Sequence, residues 1–161
     1  MMNGQTAKPL TADDLKGLFP FYERGDDPPV QVIDLIVEIE RRLADGKDIP
    51  YMAFVTGTGM NYRVEFNNYD AERHKPVVSE GLMEVIRRGA DRIVVISESW
   101  LRNADGTPNW HGVLIVEATA SGDICYSAEF VGKNRVGEWT SGPAGDSGNL
   151  ARLFERAVAG E

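Results

Sequence analysis

Histidine, the side chain best suited to act as a base near neutral pH, occurs twice in this chain of 161 residues, at His74 and His111. Neither has a cysteine or a second histidine at ligand spacing, so a metal centre would need both to converge with distant carboxylates; no metal and no other cofactor is expected. A serine nucleophile could be sought in SESW (97–100), but the glycines of a nucleophile elbow are absent. Strand alternation also puts Ser97 and Ser99 on one face and Glu98 on the other. A carboxylate pair for acid and base work would have to come from Glu98, Glu117 and Glu129. Glu117, near Tyr126, is the one with semi-buried potential, although solvation at a sheet end is the simpler expectation. Cys125 stands alone in mid-strand without a cationic neighbour and reads as an inert, partly buried thiol.

The best surface candidate is the stretch LRNADGTPNW (101–110), bracketed by Trp100 and Trp110. Tryptophan is a favoured interface anchor, and a ten-residue excursion is long for a simple hairpin. Trp100, Asp105, Trp110 and His111 are therefore the expected interaction surface, against the plainer alternative that both indoles close the core and Asp105 and Gly106 form an ordinary turn. Asn103, Asp105 and Thr107 alternate like calcium ligands, but the glycine is misplaced and no bidentate glutamate follows. GTGMN (57–61) looks like a phosphate loop, yet a strand rather than a helix follows it, which favours a hairpin turn.

These residues must be positioned by strands. RIVVISES (92–99), HGVLIVEAT (111–119), DICYSAEFV (123–131) and RVGEWT (135–140) are rich in β-branched and aromatic residues and predict an antiparallel meander. A turn centred on Ser121 and Gly122 pairs Ala120 with Asp123 and puts Val113, Ile115, Glu117 and Thr119 on one face with Ile124, Tyr126, Ala128 and Phe130. A turn at Lys133 and Asn134 brings Ala128 to Trp139, which joins that core face, and Glu129 to Glu138. Two opposed glutamates imply a solvated face, with a cation or ligand groove including Ser127 and Cys125 as the sharper alternative. YMAFVT (51–56) and NYRVEF (61–66) form a separate hairpin that aligns Ala53 with Val64 and Val55 with Tyr62.

Helices fill the gaps. Thr11 caps a short helix through Leu15, Leu18 and Phe19; FYERGDDPP (21–29) is a linker ending in Asp27 as cap and Pro28 as first helical residue. The helix over 28–44 carries Val32, Ile36, Ile39 and Leu43, with Ile33, Leu35 and Val37 widening the stripe, and Gly46 ends it. So apolar a helix should be covered on more than one side, by the sheet and by the short helix or a second subunit. Pro76 opens a helix with Val78, Leu82, Val85 and Ile86, and a last helix from about Ser147 carries Leu150, Leu153, Phe154, Ala157 and Val158. Residues 1–10 are expected to be disordered and 11–161 to form a single α+β domain, an antiparallel sheet covered by helices.

Asp and Glu outnumber Lys and Arg by 25 to 17, a net charge of −8 that opposes attraction to phosphate backbones; nucleic acid is not an expected partner. No apolar run is long enough to cross a membrane, and the amino terminus carries no signal-peptide pattern, which makes a cytoplasmic location the expectation.

The element order resembles that of roadblock and profilin-like domains over roughly residues 28–159, with one extra strand at 135–140. The succession NYRVEF, EGLMEVIRRGADRIVVISESW, VLIVEATASGD, GEWTSG and NLARLF is similar to a group of small bacterial proteins. That resemblance implies the fold and a bacterial or phage origin; it implies no activity. With catalytic constellations lacking, the expectation is a noncatalytic binding or assembly module with a protein partner, forming a homodimer through a sheet edge or the apolar helix. The alternatives are a small hydrolase or transferase with dispersed residues near 100–111, and an acidic phage-type inhibitor of a basic host factor.

Overall fold

A computed structural model describes residues 21–23, 30–58, 60–66, 71–144 and 151–160, with the backbone alone at 21–23, 60, 71–77, 101–102 and 108. The expected helix at 11–19, the disordered 1–10, and the roles given to Asp27, Pro28, Ser147 and Leu150 lie outside these residues. The strands are β1 (Phe21–Glu23), β2 (Met52–Gly57), β3 (Met60–Glu65), β4 (Ala90–Arg102), β5 (Pro108–Thr119), β6 (Gly122–Gly132), β7 (Arg135–Val136) and β8 (Thr140–Pro143). The helices are α1 (Val32–Ala44), α2 (Ala71–Arg87) and α3 (Leu153–Ala159). All strands join one open antiparallel sheet in the order β1-β3-β2-β4-β5-β6-β7, with β8 also against β6. The chain is an α+β protein.

The run Ile93-Val94-Val95-Ile96 in β4 is buried at every position because the sheet is covered on both sides. Ile93 and Val95 pack with Ala53, Val55 and Val64 beneath α2 and α3, through Val78, Leu82, Met83, Leu153 and Phe154. Val94 and Ile96 turn the other way and pack with Val113 and Ile115 against Val32, Leu35, Ile39 and Leu43 of α1. Each such large side chain withdrawn from water stabilises the fold by about 1.5–3 kcal/mol before entropy is subtracted.

Several element boundaries differ from the sequence reading. The linker assigned to 21–29 begins with β1, which pairs with β3. α1 starts at Val32 after an extended Gln31 rather than at Pro28, and it closes as expected at Gly46, whose φ of +77° lets Lys47 N–H reach Arg42 O at 2.9 Å. α2 begins at Ala71, so Pro76 lies inside the helix; the missing N–H costs one ladder bond that the helix forgoes near its start. α3 starts at Leu153, directly after Arg152, which is left-handed at φ +52°. The expected stripes are also narrower: Ile33 (65% exposed), Val37 (59%) and Val158 (86%) face water.

The hairpin of β2 and β3 has the predicted register, Ala53 opposite Val64 and Val55 opposite Tyr62. The β5–β6 hairpin turns one residue earlier, at Ala120 and Ser121, which shifts the pairing by two and sets Ala118 opposite Asp123 and Ile115 opposite Tyr126. A shift of two leaves every side chain on its predicted face, because the pleat repeats every two residues. The fourth meander strand is split: a bulge around Val131 and the bond from Gly137 N–H to Glu129 O separate β7 from β8. Glu129 and Glu138 are both exposed and do not pair in a ladder, whereas Trp139 packs on the α1 side as expected.

Candidate functional site

β4 and β5 run on to Arg102 and Pro108, so the expected ten-residue excursion is a tight turn at 103–107. Asn103 N–H donates to Thr107 O at 2.8 Å, and its side-chain amide donates to the Thr107 hydroxyl at 2.9 Å. Asp105 accepts from both the Thr107 amide and hydroxyl, at 2.9 and 2.6 Å, and these bonds hold its carboxyl below the usual range. Asp105 shapes the turn by a short side-chain loop of its own making.

The antiparallel ladder decides what the four expected site residues can share. Trp100 lies opposite His111 and Leu101 opposite Trp110, so Trp100 and His111 occupy the α1 side of the sheet while Trp110 occupies the other. Trp110 lies over Gly112, where a Cβ would meet its ring at 2.7 Å and would collide with the Ala128 carbonyl. Trp100 and His111 stack nearly parallel, 6° apart with ring centroids at 3.4 Å, and Phe130 of β6 flanks the imidazole at 4.6 Å. Glu98, two residues before Trp100 and therefore on the same face, lies 2.7 Å from Nε2 of His111. A carboxylate only accepts, so Nε2 carries the hydrogen and donates. Trp100 keeps 52% of its surface exposed, and the His111 and Glu98 side chains keep 29% and 39%.

Sequence reasoning missed the pairing of Glu98 with His111. The signal was present in the alternation, which sets Glu98 and Trp100 on one face, but the β4–β5 register needed the true turn length. The expectation that Ser97 and Ser99 face away from Glu98 agrees with this ladder; the two hydroxyls are 3.5 Å apart on the opposite side from His111. The ladder neighbours of His111 on its own face, Trp100, Val113 and Phe130, offer no nucleophile.

Glu117 is not simply solvated. Arg92 Nε donates to it at 2.7 Å, Tyr126 O–H donates at 3.4 Å, and Arg92 Nη1 donates to Val30 O at 2.7 Å, tying the approach to α1 onto the sheet. Burial, then the neighbouring Glu117 charge, pushes the Tyr126 hydroxyl up. Glu98 lies four residues along β4 from the Glu117 partner Val94, about 13 Å at strand rise, and Glu129 points to the opposite face, so no two of the three carboxylates act together. Cys125 is half-buried and burial pushes its thiol up, which suits the inert reading.

A cleft of about 840 Å³ lies at the far end of the β5–β6 hairpin, lined by residues 119–124 and 141–144 with Arg152, Phe154 and Glu155. His111 and Thr119 are eight residues apart on β5, so cleft and imidazole are separated by about 25 Å. Among the described residues no group of three or more His, Cys, Asp or Glu could hold a metal ion, and no helix is long and apolar enough to cross a membrane. No family model, no curated protein and no solved structure matches this chain.

Proposed function

We propose that the chain is a noncatalytic binding or assembly module of a bacterial or phage cytoplasm, which docks a protein partner at the Trp100 end of its sheet and forms a homodimer. The observation that carries this reading is the half-exposed Trp100 indole, held flat on His111 while Glu98 fixes the imidazole. A rigid aromatic surface costs little entropy to dock, and buried tryptophans dominate interface energies. The ladder neighbours of His111 on that face, Trp100, Val113 and Phe130, are not nucleophiles, and the cleft lies at the other end of the strand. The exposed Ile33 and Val37, one turn apart on α1, supply apolar surface for self-association.

The test is native mass spectrometry beside sedimentation of the wild type, Trp100→Ala and the double variant Ile33→Glu, Val37→Glu. The expected result is a dimer that one of the two variants dissociates without loss of fold. The second reading, a small hydrolase or transferase, draws on the 2.7 Å contact of His111 with Glu98, an arrangement that orients an imidazole as a base. A monomer carrying an extra mass that His111→Ala releases would replace the binding module with that enzyme.

A further inference from the structure

β4 outruns the strand beside it. β2 accompanies β4 only from Ala90 to Ile96, whereas β4 continues to Arg102 with β5 on its other side, and among the described residues no strand lies beside 97–102 where β2 has stopped. Pro50 lacks the N–H that would carry β2 further, and Ile49 packs instead with the core on the α1 side. A sheet edge left in this state presents N–H and C=O groups ready to pair with another chain.

The hairpins decide which residues aim those groups outward. Thr119 and Gly122 close the two-residue turn between β5 and β6 and bond to each other, so Leu114 and Gly112, at the other parity of β5, bond to β4 at Ser97 and Ser99. The alternate residues of β4 therefore aim at the β2 side. Gly57 and Met60, which close the β2–β3 turn, lead to the same parity independently, since they leave Phe54 and Met52 bonded to Val94 and Ile96. Past Ile96 the outward residues are Glu98, Trp100 and Arg102.

We propose that two copies of this chain join β4 to β4, antiparallel across a two-fold axis at Trp100, into one continuous sheet. The inference rests on the homodimer proposed above and names the surface that forms it. With Trp100 opposite Trp100 of the partner subunit, Glu98 meets Arg102 of the partner subunit and Arg102 meets Glu98 of the partner subunit, so every outward position finds a counterpart, in up to about six backbone bonds. Moving the axis one residue toward Glu98 would bring Arg102 against Ile96 of the partner subunit, where β2 already pairs; moving it the other way would bring Glu98 against Ala104 of the partner subunit, in the turn. The register centred on Trp100 also sets residues of opposite charge across from each other twice. The row of Phe130, His111 and Trp100 then runs on into the same row of the second copy, and the half-exposed indole is covered.

The test is sedimentation of the full chain with Glu98→Arg, with Arg102→Glu, and with these two variants mixed. Each variant alone sets like charges across from each other in both pairs and should weaken the homodimer by about tenfold or more, whereas the mixture restores both pairs and should form a heterodimer at near wild-type affinity. Arg102→Glu leaves the bond between His111 and Glu98 in place, so its effect does not come through the stack. Amide hydrogen exchange gives a second readout: the Glu98, Trp100 and Arg102 amides should slow as protein concentration rises, and the Ser97 and Ser99 amides, bonded to β5, should not respond. A dimer that the Ile33→Glu, Val37→Glu variant dissociates, with those outward amides exchanging at one rate at every concentration, would overturn the β4 edge and leave the homodimer standing. Single variants that associate as tightly as the wild type, or a mixture no tighter than either alone, would also overturn the edge. A monomer at every concentration would overturn both.

Discussion

Trp100 and Trp110, which bracket one turn, lie on opposite faces of the sheet: Trp100 stacks on His111 on the α1 side, and Trp110 lies over Gly112 on the other. They cannot act as one aromatic clamp. Only Trp100 combines exposure with a rigid polar backing, and the two indoles should respond independently to substitution.

Truncating Trp100 should separate binding from stability. Trp100→Ala is expected to change unfolding free energy by less than about 1 kcal/mol, because the ring is half in water, while weakening association by roughly thirtyfold, the loss of a hot spot. Urea melts and sedimentation measure the two quantities. A loss of stability as large as the loss of association would make the stack a structural element instead.

Adding one methyl group at Gly112 should be costly. The new Cβ would press on the Ala128 carbonyl and the Trp110 ring, so Gly112→Ala should destabilise by about 2 kcal/mol and shift Trp110 emission toward that of a solvated indole. Emission of a Trp100→Phe background isolates Trp110 more cleanly, with only Trp139 besides it.

Arg92→Met should cost about 2 kcal/mol, since it leaves the half-buried Glu117 carboxylate without its cationic partner and with only the Tyr126 hydroxyl as a hydrogen-bond donor, and it releases Val30 O. Adding Glu117→Gln should recover part of that loss, because a neutral amide tolerates the same surroundings. A double-mutant cycle of the two in urea gives the coupling; a value near zero would show that the pair contributes nothing.

The two shifted aspartates predict opposite pH effects. Asp123 has a raised folded pKa, so the native state binds more protons between 3.8 and that value, and its contribution falls as pH rises through this window. Asp123→Asn, whose amide oxygen still accepts from Arg152, should therefore stabilise at neutral pH and do nothing below about 3.8. Asp105 is depressed, so its contribution is present above 3.8 and is lost as pH falls through the folded value; Asp105→Asn should destabilise at neutral pH only. Melts of both variants from acid to neutral pH test the signs.

Side-chain faces were more legible in this sequence than element ends. Val113, Ile115, Tyr126 and Trp139 were placed on the correct side because alternation survives an even-numbered register error. The site was half legible: Trp100 and His111 stood out by type, but their stacking depended on β4 and β5 extending past Trp100 and Trp110, and polar residues such as Asn103 and Thr107 carry no periodicity to reveal that. Arg92 and Glu117 are distant in sequence, and only the finished ladder brings them together. The left-handed Arg152 left no sequence signal at all, since αL conformations are read from glycine and asparagine.

The doubly buried run of β4 has a consequence for specificity. Ile93, Val94, Val95 and Ile96 are nearly interchangeable, so a slip of one residue would exchange one apolar set for another and leave both sides of the sheet content. What forbids the slip are the polar residues at the ends of the run. Displaced by one, Arg92 would turn away from Glu117 into the layer beneath α2 and α3, and Glu98 would turn away from His111. The information that aligns this strand is therefore carried by two hydrogen-bonded pairs at its margins, while the oily middle supplies adhesion without address.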